Sequence, residues 1–447
     1  MDFNHWLKPG PPAKCPMHLG EVDLFAPGAQ EHWYPAYKIL HAESPVQKLP
    51  GEGPTPGSDA FVLTKYEDIA RVVRDPVRFK PTLSQVVDGI LESGVDPAAL
   101  PLTNAMMASM VTLRPTVELW RAHRQELTDP WVGPGAVRHT EMITRVANEL
   151  IDRWIERGEV EFISEFSRPL PQIVMAHVLG FPLADLQKLA DWGTATVAAF
   201  VWGKGHRNEL TPEQLREQFV HLDGLKEYVN EHVLEKRRHP QDDMISWLTQ
   251  VSYSPLQRKL TDLEINGIVY AMLIGGLETT QYALEEQAQL LCEQPHIWDA
   301  LKRDRSKLRT FCEEGMRLRS PTQGLSTRMT TQDESFQGVA VPKGSLLHLR
   351  WAAGNIDPDE WECPMELQLD RRGATRHLVF SAGPRVCPGA GISRLEQNIA
   401  WGLLFDRLGA IEYAPDVEIK HQPGIMLGTL ALKLRFKKAE ARPASPA

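Results

Sequence analysis

Apolar residues recur at three- and four-residue spacing through most of the chain, the rhythm of a helix with one buried face. Stretches with this spacing cover 117–130, 137–157, 184–201, 211–238, 261–291, 305–318 and 389–407. Strand signals are few and short: Ala60-Phe-Val-Leu-Thr64 early, then Leu346-Leu-His-Leu349 and Leu430-Ala-Leu-Lys-Leu-Arg-Phe436 late. The pattern predicts a mainly α fold with small accessory β-sheets. Residues 1–28 are rich in Pro and Gly (Pro9, Gly10, Pro11, Pro12) and read as an irregular arm, while 437–447 read as a disordered tail. No long polar linker, repeat or low-complexity tract interrupts the remainder, so 29–436 is expected to form a single domain.

Composition sets limits on this picture. The 447 residues are 42% hydrophobic and 24% charged, enough apolar material for a core and a sizeable bound group. Forty-nine basic residues against 58 acidic ones give a net charge of −9, which argues against nucleic acid as a partner. No run reaches the roughly 18 apolar residues of a membrane helix. The start, Met1-Asp2-Phe3-Asn4-His5-Trp6, lacks the basic and apolar regions of a secretion signal, so a cytoplasmic location without a membrane span is expected. Five cysteines (15, 292, 312, 363, 387) show no C-x-x-C spacing, so no zinc ribbon, iron–sulfur cluster or disulfide framework is indicated.

The densest chemical signal is Phe380-Ser-Ala-Gly-Pro-Arg-Val-Cys387-Pro-Gly389. Pro and Gly force a tight loop around one thiol, and Arg385 precedes it by two positions. A cation and loop amides both favour thiolate. An anionic sulfur in a rigid loop suits a haem iron that must cleave dioxygen, whereas a lone Cys in such a turn is otherwise a structural thiol. A second signal lies inside the longest helical pattern: Gly275-Gly-Leu-Glu278-Thr279-Thr280. Two helical glycines cost about 1 kcal/mol each relative to Ala, and Thr279 can bond back to the carbonyl one turn earlier. A close approach to a flat group accounts for this, and so does a small-residue helix contact. A third signal is Glu314-Gly-Met-Arg317, an i, i+3 ion pair. The same spacing at Glu118, Glu165, Glu213 and Glu235 reads as solvated pairs.

Phe-x-x-Gly-x-Arg-x-Cys-x-Gly, followed back to Gly-Gly-x-Glu-Thr-Thr and Glu-x-x-Arg, resembles the signature set of the cytochrome P450 family, in its soluble bacterial form. The resemblance extends to Glu159-Val-Glu-Phe-Ile163 with Pro169-Leu-Pro171, and to Arg237-Arg238 with Asp242-Asp243. It implies the cytochrome P450 fold, with haem b held between the long central helix and the thiol loop and Cys387 as the iron ligand. Glu278 and Thr279 would relay protons for O–O cleavage, and Gly275, Gly276 and Phe380 would lie against the cofactor. Arg124, Trp120, Arg328, His377 and Arg385 would hold the propionates, and Glu314–Arg317 would lock the fold. Pro388 removes one amide that could bond the sulfur, which predicts a lower iron potential.

By the same resemblance, the substrate cavity would be lined by the loop 82–112 with Met106, Met107 and Met110, by the lid near Phe200-Val201-Trp202, by Thr322-Gln323-Gly324 and by Ile425-Met426-Leu427. A small hydrophobic substrate is implied, terpenoid or steroid-like, with an aromatic acid as competitor. The resemblance also implies a monomer. No flavin or nicotinamide signature is present, so electrons are expected from a ferredoxin and ferredoxin reductase, docking on Arg121, Arg371, Arg372 and Arg376. The reading is an O2-dependent monooxygenase. Its alternatives are a haem-thiolate sensor or ligand-binding protein without turnover, and a peroxygenase.

Overall fold

Capping residues start the long helices where the sequence places them. Thr211 and Gln214 form a capping box ahead of Pro212–Arg238, whose last turn carries Lys236, Arg237 and Arg238 against the helix dipole. Thr261 and Glu264 form another ahead of Asp262–Leu277. That second helix is apolar on nearly every face because it crosses the middle of the core. The computed structural model describes residues 13–82, 84, 88–89, 92–94, 113–201, 210–324 and 327–439.

Further helices run over Val117–His123, Thr140–Asp152, Leu186–Val201, Leu308–Leu318 and Ala390–Arg407, within the stretches that the spacing marks. Two differences matter. The expected helix 261–291 is broken at Glu278 (φ −122°, ψ −37°) and resumes as Thr279–Glu293. Pro169–Leu179 is a helix with no periodic signature, since Leu170, Pro171, Val174, Met175, Ala176, Val178 and Leu179 bury it on all sides.

The larger sheet has five strands, in the order Val46–Leu49, Ala60–Leu63, Leu346–Leu349, Thr327–Thr330, Phe79–Pro81. Its central pair is parallel, with Leu346 opposite Ala60. Both strands are buried at every position because the sheet is covered on both faces. Phe61, Leu63, Leu347 and Leu349 join one apolar cluster, while Val62 joins another with Trp33, Tyr37, Leu40 and Leu427. The smaller sheet pairs Leu408–Tyr413, Lys433–Lys438 and Glu159–Glu161. Its middle strand therefore begins and ends later than the run 430–436, and Lys437 and Lys438, expected in the tail, belong to it. Within the expected arm, the described residues include a short 3-10 turn at Leu19–Glu21, and Val22 and Leu24 join the buried cluster of Trp33.

Candidate active site

Cys387 lies at the entrance to helix Ala390–Arg407, in a loop fixed on three sides. Its N–H donates to the Phe380 carbonyl at 2.8 Å. Arg124 Nη1 donates to the Val386 carbonyl at 3.0 Å, and the Ile392 N–H donates to the Val132 carbonyl at 2.9 Å. Gly383 adopts φ +71°, and a Cβ there would stand 2.9 Å from Arg74 Cα; only glycine serves. Burial raises the thiol pKa. The Gly389 and Ala390 amides and the cations Arg124 and Arg394 work against that rise. Arg385 is not among the groups that act on the thiol, so its expected role beside the sulfur is corrected: its guanidinium turns to the Trp120 ring, 4.6 Å from the centroid, and to Ser84 Oγ at 3.5 Å.

Across a cavity of about 230 Å³ stands the break in the central helix. Cys387, Gly275, Thr279 and Ala283 share its walls, together with Phe380 and Arg328. Thr279 Oγ1 donates to the Gly275 carbonyl at 2.7 Å, replacing the helical bond lost at the break. A Cβ on Gly275 would meet nothing within 4 Å, so this glycine presents bare backbone to the cavity. Gly276 does not: a Cβ there would lie 2.7 Å from Met175 Cγ, so its smallness serves helix packing and not a cofactor. Glu278 is tethered beside the wall. Its Oε1 accepts from Thr194 Oγ1 and its Oε2 from Tyr282 Oη, both at 2.9 Å. Tyr282 Oη in turn accepts from Gln422 Nε2 at 3.0 Å. One residue on, Thr280 Oγ1 donates to Ser393 Oγ at 2.9 Å and ties the central helix to the thiol helix.

Beneath the thiol loop, Glu314 and Arg317 are fully buried and paired at 2.6 Å. Arg317 also donates to the Asn355, Pro364 and Glu366 carbonyls, so no donor is left to water. By contrast, the Glu213–Arg216 pair is exposed, as expected. Arg371 reinforces the buried pair through Glu314 Oε2 at 2.8 Å. It is thereby removed from the expected docking face; Arg376 pairs with Glu360 and stays exposed, as do Arg121 and Arg372.

His377 is a further correction. Its ring is fully buried, with Nε2 bonded to Glu313 at 3.0 Å and Nδ1 accepting the Val379 N–H, so no ring nitrogen is left for a propionate. Glu313 also holds Arg394 at 2.6 Å. Burial pushes its carboxyl pKa up, but those two partners outweigh it and bring the pKa to about 2. Nothing in the sequence marked this triad, whose members are far apart along the chain.

Of the expected substrate contacts, Thr322 lines the cavity and is bridged to Met426 through the backbone. Gln323 turns away: its Nε2 donates to the Ser320 carbonyl and its Oε1 accepts from Tyr37. Leu427 packs with Trp33 and Tyr37 instead. Met106, Met107, Met110 and Trp202 lie outside the described residues, and so do the side chains of Phe200 and Val201. Met316 and Trp351 line the cavity although neither was singled out.

These walls fit iron protoporphyrin IX. A sulfur faces an open glycine surface, and Arg328 and Arg385 bring positive charge where two carboxylates need it. Burial, and then repulsion from Arg385, lowers the Arg328 pKa to about 10. Trp120 Nε1 and Trp351 Nε1 are buried with no partner, as is Ser381 Oγ.

The cytochrome P450 family model matches residues 104–436. Cyclomarin C epoxidase of Salinispora arenicola is 29% identical over 388 residues, covering 84% of this chain and 90% of that protein. Cytochrome P450 107B1 of Saccharopolyspora erythraea is 27% identical, covering 90% and 93%. Among solved structures, CYP109Q5 of Chondromyces apiculatus superposes with a TM-score of 0.76 at 25% identity, covering 94% of this chain and 99% of that one. P450BioI in complex with an acyl carrier protein gives 0.77 at 24%, covering 91% and 99%, a likeness of fold. With fold, thiol loop and family match in agreement, the chain belongs to the cytochrome P450 family and is a haem b-dependent monooxygenase.

Proposed function

We propose that this monooxygenase inserts one oxygen atom of O2 into a small, rigid hydrophobic substrate, with a steroid or terpenoid skeleton, using electrons from a separate ferredoxin and its reductase. One observation carries the reading: the Cys387 thiol and the Thr279 hydroxyl line the same cavity. Haem, when bound through Cys387, supplies the dioxygen chemistry. The chain supplies the rest. Thr279 Oγ1 holds a proton at the cavity wall, parked on the Gly275 carbonyl. Glu278, fixed by Thr194 and Tyr282, is the neighbouring residue and would pass protons from solvent toward that hydroxyl. Ala283, Pro321, Trp351 and Val379 give the cavity apolar walls suited to the flat body of a porphyrin and closed to water.

Support for the substrate class also comes from CYP109E1 of Bacillus megaterium, 25% identical with a TM-score of 0.69, which was solved with corticosterone. No helix among the described residues is long and apolar enough to cross a membrane. The test is NADH oxidation with a surrogate ferredoxin and reductase, run with a panel of steroids, terpenoids and aromatic acids. Substrate-stimulated oxidation with a hydroxylated steroid or terpenoid supports the proposal, and Thr279→Ala should divert electrons into peroxide with product falling about a hundredfold. Oxidation that no compound stimulates, or equal coupling in Thr279→Ala, contradicts it.

A further inference from the structure

Family resemblance assigns Arg124 to a propionate, but the structure commits that guanidinium elsewhere. Its Nε and Nη2 donate to Asp129 Oδ1 at 3.3 and 2.9 Å, and its Nη1 donates to the Val386 carbonyl. A different cation stands ready. Arg114 stacks on Trp120 with its guanidinium carbon 3.8 Å from the ring centroid, on the same indole that Arg385 approaches. Trp120 and Arg385 also wall a neighbouring cavity of about 440 Å³, and Arg385 borders both cavities. Among the described residues no carboxylate pairs with Arg114 or Arg385.

The polar atoms around Arg114 are equally unspent. Arg114 Nε, Trp120 Nε1 and both ring nitrogens of His123 are buried without a hydrogen-bond partner. His123 lies stacked beneath Trp120, 6.4 Å between centroids. Buried donors left without a partner beside like charges are costly unless an anion completes them. Repulsion from Arg385 adds to burial in lowering the Arg114 pKa to about 9, which an anion between them would relieve.

We propose that Arg114 holds a haem propionate, taking the clamp that Arg124 gives up to Asp129 and the thiol loop, with the Trp120 indole as the platform that aims it. This rests on the haem-thiolate reading of the site. Arg124 is then a positioning residue that braces the loop carrying Cys387. Arg114 supplies a two-pronged donor set matched to a carboxylate.

The test uses purified holoprotein and the variants Arg114→Gln and Arg114→Lys. The reduced, carbon monoxide-bound spectrum is recorded first, and loss of the thiolate band in the wild type sinks the site reading rather than this one. Haem transfer to excess apomyoglobin is then timed and the iron midpoint potential measured. Arg114→Gln should release haem about ten to a hundred times faster, the loss of one charged hydrogen bond, and lower the potential by removing a cation. Arg114→Lys should keep the potential and release haem at an intermediate rate. Release and potential both unchanged in Arg114→Gln overturn the proposal. Should that variant not fold, wild-type release from Arg114→Lys does the same.

Discussion

His421 pins the segment that carries Met426 between two acids, and this makes stability depend on pH in a defined direction. Its Nδ1 lies 2.9 Å from Glu31 and its Nε2 3.1 Å from Glu286, while its backbone N–H donates to Glu31 at 2.7 Å. Glu286 is fully buried and also meets Arg319 and Thr429. Burial disfavours the imidazolium, but the two carboxylates outweigh it and lift the His421 pKa to about 9. The folded value exceeds the unfolded one, so the stabilisation is complete below about pH 6.5 and is lost as pH rises toward 9. A rise of this size corresponds to roughly 3 kcal/mol. His421→Gln removes the charge and keeps a hydrogen-bonding side chain. Urea unfolding of the holoprotein, followed by far-UV circular dichroism, should show the variant less stable by about 3 kcal/mol near pH 6 and the gap narrowing by about pH 9.5. A gap that does not change with pH would refute the reasoning.

Two other substitutions test the thiol loop. Ser381 adopts φ +60° and ψ −170°, a region that glycine tolerates and other residues enter at a cost of about 1–3 kcal/mol, and its Oγ is buried without a partner. Ser381→Gly should therefore raise stability by about 1 kcal/mol net of glycine's chain entropy, read by urea unfolding; a destabilised variant would show that the strain is not there. Pro388 offers the sulfur no amide, leaving those of Gly389 and Ala390. Pro388→Leu should raise the iron reduction potential in spectroelectrochemistry, and an unchanged potential would remove the idea that sulfur hydrogen bonding limits it.

Features written in contiguous residues were legible beforehand. The Cys387 loop, the Thr279 bond to Gly275 and the buried Glu314–Arg317 pair each lie within a few positions, where residue type and spacing carry the geometry. Gly275 and Gly276 show the limit of that kind of reading. Adjacent helical positions point about 100° apart, and only the packing of Met175 reveals which one faces the cavity. His377 failed for a related reason: its partner, Glu313, comes from a distant helix, and a buried acid claims the ring before any propionate can. Arg114 was passed over because a lone Arg before Pro115 has no local signature; its meaning comes from Trp120, Arg385 and the commitment of Arg124 to Asp129. The helix Pro169–Leu179 escaped because burial on every side erases periodicity.

The most direct measurement is the absorption spectrum of the dithionite-reduced protein under carbon monoxide, wild type beside Cys387→Ala. A strongly red-shifted Soret band in the wild type, lost in the variant, is the outcome required of a thiolate bound to haem iron. A wild type without that band, or a variant that keeps it, would show that the sulfur at position 387 is not the iron's ligand.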